Sequence, residues 1–304
     1  MQWFFIALSA PFLWALVNIS DEYLVTKYSK GKHGSGGLVL FSSLIGVFAA
    51  ILIGIFTPNV FIIPILDKIL LITTGGITIA WIILYLFTIE IEDISAIAPW
   101  FLTIPVFGYI LGYIFLDETL SIQQLIGFMV VLFGVLLISI DFSEQKKKIK
   151  WRPAIYMLIS CLLVAISGVI FKYVTVGEHF WVSSFWEYTG LGGFGILIYI
   201  FVPKYRNEFM LMNREGGKKI FTLNLVSEIL TIIGNLLTNY AMLLAPVAMI
   251  YLVSSFQPAI VIFLTLFATK FFPNITTENL KKSVLLPKII AIIVMIVGSA
   301  ILFL

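Results

Sequence analysis

The sequence contains very few of the side chains on which catalysis and metal binding depend. Among 304 residues it has one cysteine, Cys161, and two histidines, His33 and His179. A single cysteine excludes an intramolecular disulfide and any paired-cysteine zinc or redox motif. We find no Ser/His/Asp or Cys/His arrangement for nucleophilic catalysis and no ligand cluster. We therefore expect a protein that is not an enzyme and holds no cofactor or metal.

Charge is also scarce. Charged residues make up 12% of the chain and hydrophobic residues 61%, whereas soluble domains carry about 25% charged and about 45–50% apolar residues. A soluble core of this chain length cannot bury so much apolar surface. The formal net charge of +3 is too small to indicate a nucleic-acid partner. The composition predicts an all-α polytopic membrane protein.

Apolar runs of about 20 residues, the length that crosses roughly 30 Å of hydrocarbon, occur ten times. The first half contains Trp3 to about Leu24, Gly37–Thr57, Ile69–Ile89, Ile94–Leu116 and Ile122–Ile140. The second half contains Pro153–Val174, Trp181–Val202, Ile220–Leu243, Val247–Phe271 and Leu285–Leu304. We number these predicted spans 1 to 10. They divide the chain into a five-helix repeat (1–140), a basic linker (141–152) and a second five-helix repeat (153–304).

The two halves share the order of their spans and a few matched positions. Pro105 matches Pro258 at an offset of 153 residues, and Gly134 matches Gly298 near the ends of the copies. Because five is an odd number, the second copy must cross the membrane in the opposite direction. Inverted repeats of this kind are typical of transporters, whose substrate site lies near the midplane between the copies.

In the segment DISAIAPWFLTIPVFGYILGYIFLDETLSIQQLIGFMVVLFGVLLI, a span with a central proline ends at an acidic residue and a glycine-bearing span follows. The marks of this pattern are Pro105, Glu118, Gly127 and Gly134. The segment resembles the second half of an EamA domain. The stretch NYAMLLAPVAMIYLVSSFQPAIVIFL resembles the same region, although Phe271 stands near the place of Glu118 and Ala291 replaces Gly127. The resemblance, two EamA copies of the drug/metabolite transporter superfamily, implies a ten-helix carrier of small organic solutes.

The basic residues predict an orientation. Of the 19 Lys and Arg residues, 17 lie in the connections after spans 1, 3, 5, 7 and 9 or at the span ends that border them. The positive-inside rule places these connections in the cytoplasm and therefore both termini outside. The family resemblance implies the reverse, with both termini in the cytoplasm. We favour the charge bias because it is lopsided and the connections are short.

Span 8 carries the longest line of polar side chains. Its residues are spaced by three or four positions and so share one helix face: Asn224, Glu228, Thr231, Asn235 and Asn239. One interpretation is a cavity wall in which Glu228 binds an amine or carries a proton. The other is hydrogen bonding that only holds helices together. We favour the cavity, because a charged side chain in mid-bilayer costs roughly 2.5–3.5 kcal/mol.

Other polar or aromatic residues in the spans are further candidates for substrate binding: Asn18 and Asp21 in span 1, Trp81 and Tyr85 in span 3, Glu187 in span 7, and Gln257 in span 9. For the acids, the alternative is a helix end that reaches water. For the aromatic pair, the alternative is packing. Pro105 and Pro258 remove backbone donors at mirrored positions, which predicts kinks that either gate the two copies or bend them statically.

Two further patterns have structural interpretations. The letters Gly190-x-Gly192-x-x-Gly195 match a dinucleotide-binding fingerprint, but that motif needs a preceding strand. Inside an apolar helix we interpret them as close helix packing. Lys172 could pair with an acid across the repeat interface or extend to the nearer membrane surface, and we favour the surface.

These features predict a secondary carrier in the cell membrane that moves a small polar organic metabolite, such as an amino acid or amine, by alternating access. Intramembrane acids with few basic partners favour a cationic or zwitterionic solute, or proton coupling. We expect membrane lipid as a further partner, no nucleic acid, and a monomer or homodimer. The alternative is a flippase for lipids or lipid-linked sugars, and a channel is a weaker one.

Overall fold

The computed structural model describes residues 2–24, 36–91, 98–139, 151–271 and 282–303. Within these ranges the chain forms helices and turns, and contains no strand. The helices are α1 Gln2–Leu24, α2 Gly36–Phe56, α3 Ile65–Ile91, α4 Thr103–Leu116, α5 Ile122–Ser139, α6 Trp151–Thr175, α7 Phe180–Phe201, α8 Pro203–Met242, α9 Val247–Ser254, α10 Gln257–Phe271 and α11 Lys282–Ile301. A 3₁₀ turn, Ala98–Leu102, precedes α4.

Five of the described segments are long and apolar enough to cross a membrane: Gly36–Phe56, Ile65–Thr88, Trp151–Thr175, Phe221–Met242 and Val247–Leu264. A sixth is counted if Phe180–Phe201 and Pro203–Glu215, which meet at 100°, are taken as one broken span. Four shorter apolar helices are Gln2–Val17, Trp100–Leu116, Ile122–Leu137 and Leu286–Ile301. The chain is therefore a helical multi-pass membrane protein, as the composition predicts.

The connection between predicted spans 7 and 8 is helical and not a loop. α8 begins at Pro203, a residue that suits the first helical turn because its missing N–H has no partner there. The helix is interrupted at Gly217, whose φ of 62° and ψ of −172° are open to glycine alone. After this break, Phe221–Met242 crosses the bundle and agrees with the predicted span.

The two mirrored prolines stand just after breaks and not inside continuous helices. α9 ends at Ser254 and α10 begins at Gln257, so that Pro258 is the second residue of α10. Pro105 is the third residue of α4, directly after the 3₁₀ turn. Proline lacks the N–H that would continue the helical ladder, so the chain starts a new helix around it. The predicted kinks are therefore short interruptions of spans 4 and 9.

A buried apolar cluster lies where the first turns of α1 and α9 meet the last turns of α6 and α8. Its residues include Ala7, Ala165, Val169, Met242, Ile250 and Tyr251. Residues of α4 pack against it. We call this the end cluster, because it fills one end of the bundle.

Candidate functional site

α7 and α8 are joined by a hydrogen bond between polar side chains inside the bundle. The Nδ2 atom of Asn239 donates to Oε2 of Glu187 at 2.8 Å. Glu187 is two turns into α7, and Asn239 is in the last turn of α8. The predicted line of polar residues on α8 therefore faces α7 at this depth and contacts its carboxylate.

Tyr188 extends this polar contact toward the middle of α8. Its side chain is buried, and its hydroxyl donates to the carbonyl of Ile232 at 3.4 Å. The amide of Asn235 also lies beside this hydroxyl. Asn235 and Asn239, one turn apart on α8, thus contact neighbouring residues of α7.

The acid of the polar line itself, Glu228, makes its contact with a different helix. The hydroxyl of Ser42, on α2, donates to Oε1 of Glu228. Eleven residues separate Glu228 from Asn239, which corresponds to about 16 Å along the helix axis at 1.5 Å per residue. The two acid contacts therefore lie in opposite halves of the bundle and are connected by one face of α8.

Close helix contacts fix the position of α7 beside these residues. A Cβ atom at Gly190 would lie 2.3 Å from the carbonyl oxygen of Ile72 on α3, and one at Gly192 would lie 2.7 Å from the backbone nitrogen of Val47 on α2. Gly195 has a comparable contact with Ser43 of α2. The glycine pattern thus allows α7 to touch two helices, in agreement with the packing interpretation.

The aromatic candidates on α3 pack with each other and with α6. The rings of Trp81 and Tyr85 are 6.3 Å apart, and Tyr85 is 5.5 Å from the ring of Phe101. Both candidates are partly buried. Tyr85 packs with the buried pair Met157 and Cys161 of α6.

The remaining candidates are spread over the bundle. Gln257 is partly buried and opens α10 at the break in span 9. Asn18 and Asp21 fall within α1, but their side chains lie outside the described residues. The structure thus brings together Glu187, Asn235 and Asn239, and it places Glu228 on the face of α8 that carries the two asparagines.

Several polar groups of this region are not among the site residues that the sequence predicts. Ser42 carries no signal of its own, since its partner lies 186 positions away. Three buried hydroxyls have no hydrogen-bond partner among the described residues: Ser183, Ser184 and Thr238. Ser183 could have been weighted more heavily, because it lies four residues before Glu187 and shares its helix face. No group of three or more metal-ligating side chains occurs in the part of the chain that the structure describes.

A further feature of the bundle is an apolar groove. It has a volume of about 310 Å³ and lies between α1, α11 and the break in span 9. Its lining residues are Phe4, Leu8, Phe256, Ile296, Ser299, Ala300 and Phe303. Ser299 is the one polar residue among them, which suits hydrocarbon better than a polar solute.

The fold and these contacts define a multi-pass helical membrane protein with carboxylates held inside its bundle. Residues 1–140 match the model of the EamA-like transporter family. This match confirms the resemblance to EamA-type transporters.

A solved structure with a similar fold covers nearly the whole chain. One solved protein, described only as "Crystal structure of protein", superimposes with a TM-score of 0.72 over 99% of this chain and 96% of its own, at 13% identity. At that identity the likeness concerns the fold alone. No curated protein matches the chain.

Proposed function

We propose that this protein is a secondary transporter that moves a small polar organic metabolite across the membrane by alternating access. The observation that carries the proposal is a pair of hydrogen-bonded carboxylates along the polar face of α8: Glu228 belongs to that face and accepts from Ser42, and Glu187 of α7 accepts from Asn239 of the same face. Carboxylates inside a bilayer are costly, and they mark solute or proton pathways more often than simple packing. Their different depths suit a path that crosses the bundle.

The packing of the helices supports an inverted repeat. In an inverted repeat, span 1 is equivalent to span 6, span 2 to span 7 and span 3 to span 8. A contact between α1 and α8 should therefore have a counterpart between α6 and α3, and both contacts are present. The same equivalence relates α2–α8 to α7–α3, which are also both present. Two further contacts each join a pair of equivalent helices: α2 contacts α7, and α5 contacts α11, which is span 10. A two-fold axis in the membrane plane produces this pattern, as in transporters built from inverted repeats.

The α5–α11 contact repeats the symmetry at single residues. A Cβ atom at Gly134 would lie 3.0 Å from the carbonyl oxygen of Ala291, and one at Gly127 would lie 2.9 Å from that of Gly298. The copies align Gly134 with Gly298 and Gly127 with Ala291, so each contact is the image of the other. Five long spans, one broken pair and four shorter apolar helices are the parts that a ten-span chain requires.

The chemistry of the acids suggests a class of solute. A carboxylate with an amide beside it, as at Glu187 and Asn239, can bind an ammonium group or exchange a proton. Anionic solutes need inward-facing Arg or Lys, and Lys172 is engaged by Glu118. We therefore propose an amine, an amino acid or a similar zwitterion, with proton coupling through Glu228. We further propose that the termini lie outside the cell membrane.

A thermal-shift screen tests the proposal before any solute is known. Purified protein in detergent is melted with amino acids, amines, sugars and nucleotides at two pH values, because a bound ligand raises the melting temperature by mass action. We expect a rise with amines or amino acids that is lost in Glu228→Gln. Glu178→Gln, in the turn after α6, is the matched control and should keep the rise. If Glu228→Gln leaves ligand binding and its pH dependence untouched, the amine and proton roles of Glu228 are both wrong.

The apolar groove favours one alternative, a flippase for lipids or lipid-linked sugars. Such a protein needs an apolar surface for a lipid, and the groove beside Phe256 is lined almost entirely by apolar residues. The same screen separates the two functions. A shift with a phospholipid or polyprenyl lipid, together with none from any soluble compound, would replace the carrier by the flippase.

A further inference from the structure

An acidic residue at the end of α4 is directed across the bundle to the start of α9. Glu118 follows Asp117, whose φ of 52° places the backbone in the left-handed region and ends the helix. The Oε2 atom of Glu118 accepts the backbone N–H of Val247 at 2.8 Å. Gly112 makes room for the carboxylate, because a Cβ atom there would lie 2.7 Å from Oε2. The side chain of Glu118 is 12% exposed.

The same carboxylate forms an ion pair with α6. The Nζ atom of Lys172 lies 2.5 Å from Oε1 of Glu118 and also donates to the carbonyl of Ala245 at 2.8 Å. Lys172 is 13% exposed. The sequence analysis favours a lysine that extends to the membrane surface, and this prediction is wrong. Lys172 instead pairs with an acid of the other repeat.

The Glu118–Lys172 pair joins the two predicted copies at one end of the bundle. Glu118 belongs to the first copy, whereas Lys172 and the turn before α9 belong to the second. The pair lies over the end cluster, in which the hydroxyl of Tyr251 donates to the carbonyl of Val164 at 2.8 Å. The ring of Tyr251 fits against Gly108 of α4. Separating the ends of α4, α6 and α9 would require the ion pair to break first.

Energetic considerations argue against a purely stabilising role. A largely buried ion pair contributes little net stability, because the loss of hydration offsets the attraction between the charges. Removing only one of the two charges is nevertheless costly, because the other charge then stays buried without a partner. These two properties suit a contact that is made in one conformation and replaced by water in another.

We propose that the Glu118–Lys172 pair is the gate contact of this end of the transporter, closed in the conformation described here and open when solute enters or leaves. The inference rests on the proposed function, since a bundle end must open only if a solute passes. The pair adds two gating residues to the transport cycle, and neither touches the candidate solute site at Glu187.

The accessibility of a reporter cysteine tests this gate without any solute. The natural Cys161 is replaced in Cys161→Ala, and Ala165→Cys provides the reporter. Ala165 is fully buried in the end cluster. It lies seven residues before Lys172 on the same face of α6, about 10 Å deeper. A charged, membrane-impermeant thiol reagent is applied to the purified protein in detergent, and the labelling rate is measured.

We expect Glu118→Gln and Lys172→Met to raise the labelling rate by about tenfold, within the usual range for coupling between conformational states. Lys172→Arg keeps the charge and should label at the parent rate. Lys204→Met removes a distant pair, in which Nζ is 3.9 Å from Glu208, and should also have no effect. Glu118→Gln can still accept the N–H of Val247, and Lys172→Met leaves that bond in place, so either variant can decide if the other does not fold.

An unchanged labelling rate in a folded Glu118→Gln or Lys172→Met variant would overturn the gate and leave the pair a static contact. The result is independent of the solute. If the thermal-shift screen rejects the amine carrier while these variants label faster, the bundle opens at this end and the error lies in the proposed solute.

Discussion

Single glycines decide whether α3 and α7 can touch. Gly190 lies against the backbone of Ile72, 2.3 Å from the position of an added Cβ atom. Backbone cannot move aside as a flexible side chain can, so overpacking here costs about 1–3 kcal/mol. We expect Gly190→Ala to lower the melting temperature clearly. Gly193→Ala, in the same helix, meets nothing within 4 Å and should melt like the parent protein. Equal melting of both variants would contradict the close crossing of α3 and α7.

The hydrogen bond between Asn239 and Glu187 can be separated into a structural and a functional part. Asn239→Leu leaves the partly buried carboxyl group of Glu187 without its donor, and the loss of a donor to a buried group costs about 1–3 kcal/mol. Replacing both partners by leucine removes the unpaired carboxyl group, so the double variant should regain most of that stability. We expect the double variant to melt close to the parent and yet bind no solute. A double variant that still binds would remove Glu187 from the site.

The first turn of α2 shows how one element holds another. Oε2 of Glu208, on α8, accepts the N–H of Gly36 at 2.9 Å, where the helix dipole also favours a negative charge. We expect Glu208→Ala to destabilise the protein by about 1 kcal/mol, a typical capping loss, measured by thermal or denaturant unfolding in detergent. Lys204→Ala is the control: its side chain is 76% exposed and its ion pair with Glu208 is long, so its loss should be close to neutral. A Glu208→Ala variant as stable as the control would show that α2 needs no cap.

Elements differ in how far the sequence predicts them. The spans follow directly from apolar length, and Phe221–Met242 ends within a residue of its prediction at both sides. The helix Pro203–Glu215 was missed, because its basic residues satisfy the positive-inside rule equally well as loop or helix. Partners such as Ser42 for Glu228 or Glu118 for Lys172 depend on which helices are neighbours. Helix periodicity gives the face of a residue but not the helix it faces.

At the scale of the whole molecule, the symmetry of the helix contacts concerns the repeat, whereas the distribution of charge concerns the orientation in the membrane. The helix contacts that support an inverted repeat are unchanged when the bundle is turned over, so they carry no information on orientation. Orientation depends on where Lys and Arg lie, since these residues resist transfer across the membrane. Lys172 escapes this rule because it is paired with Glu118 inside the bundle end. The remaining bias, 17 of 19 residues on one side, is therefore the quantity to test.

Reporter fusions measure the orientation directly. If the basic connections are cytoplasmic, the C-terminus lies outside, so an alkaline phosphatase fused after Leu304 should be active and a green fluorescent protein at the same point should be dark. Fusions within the basic linker, residues 141–152, come after five predicted spans and so lie on the other side of the membrane from the C-terminus. There the phosphatase should be inactive and the green fluorescent protein should be bright. Replacing Lys146, Lys147 and Lys148 by alanine removes three charges from that linker and should weaken the contrast between the two reporters. A fluorescent C-terminus with an active phosphatase in the linker would instead establish the orientation that the EamA resemblance implies. The gate formed by Glu118 and Lys172 would then face the other side of the membrane.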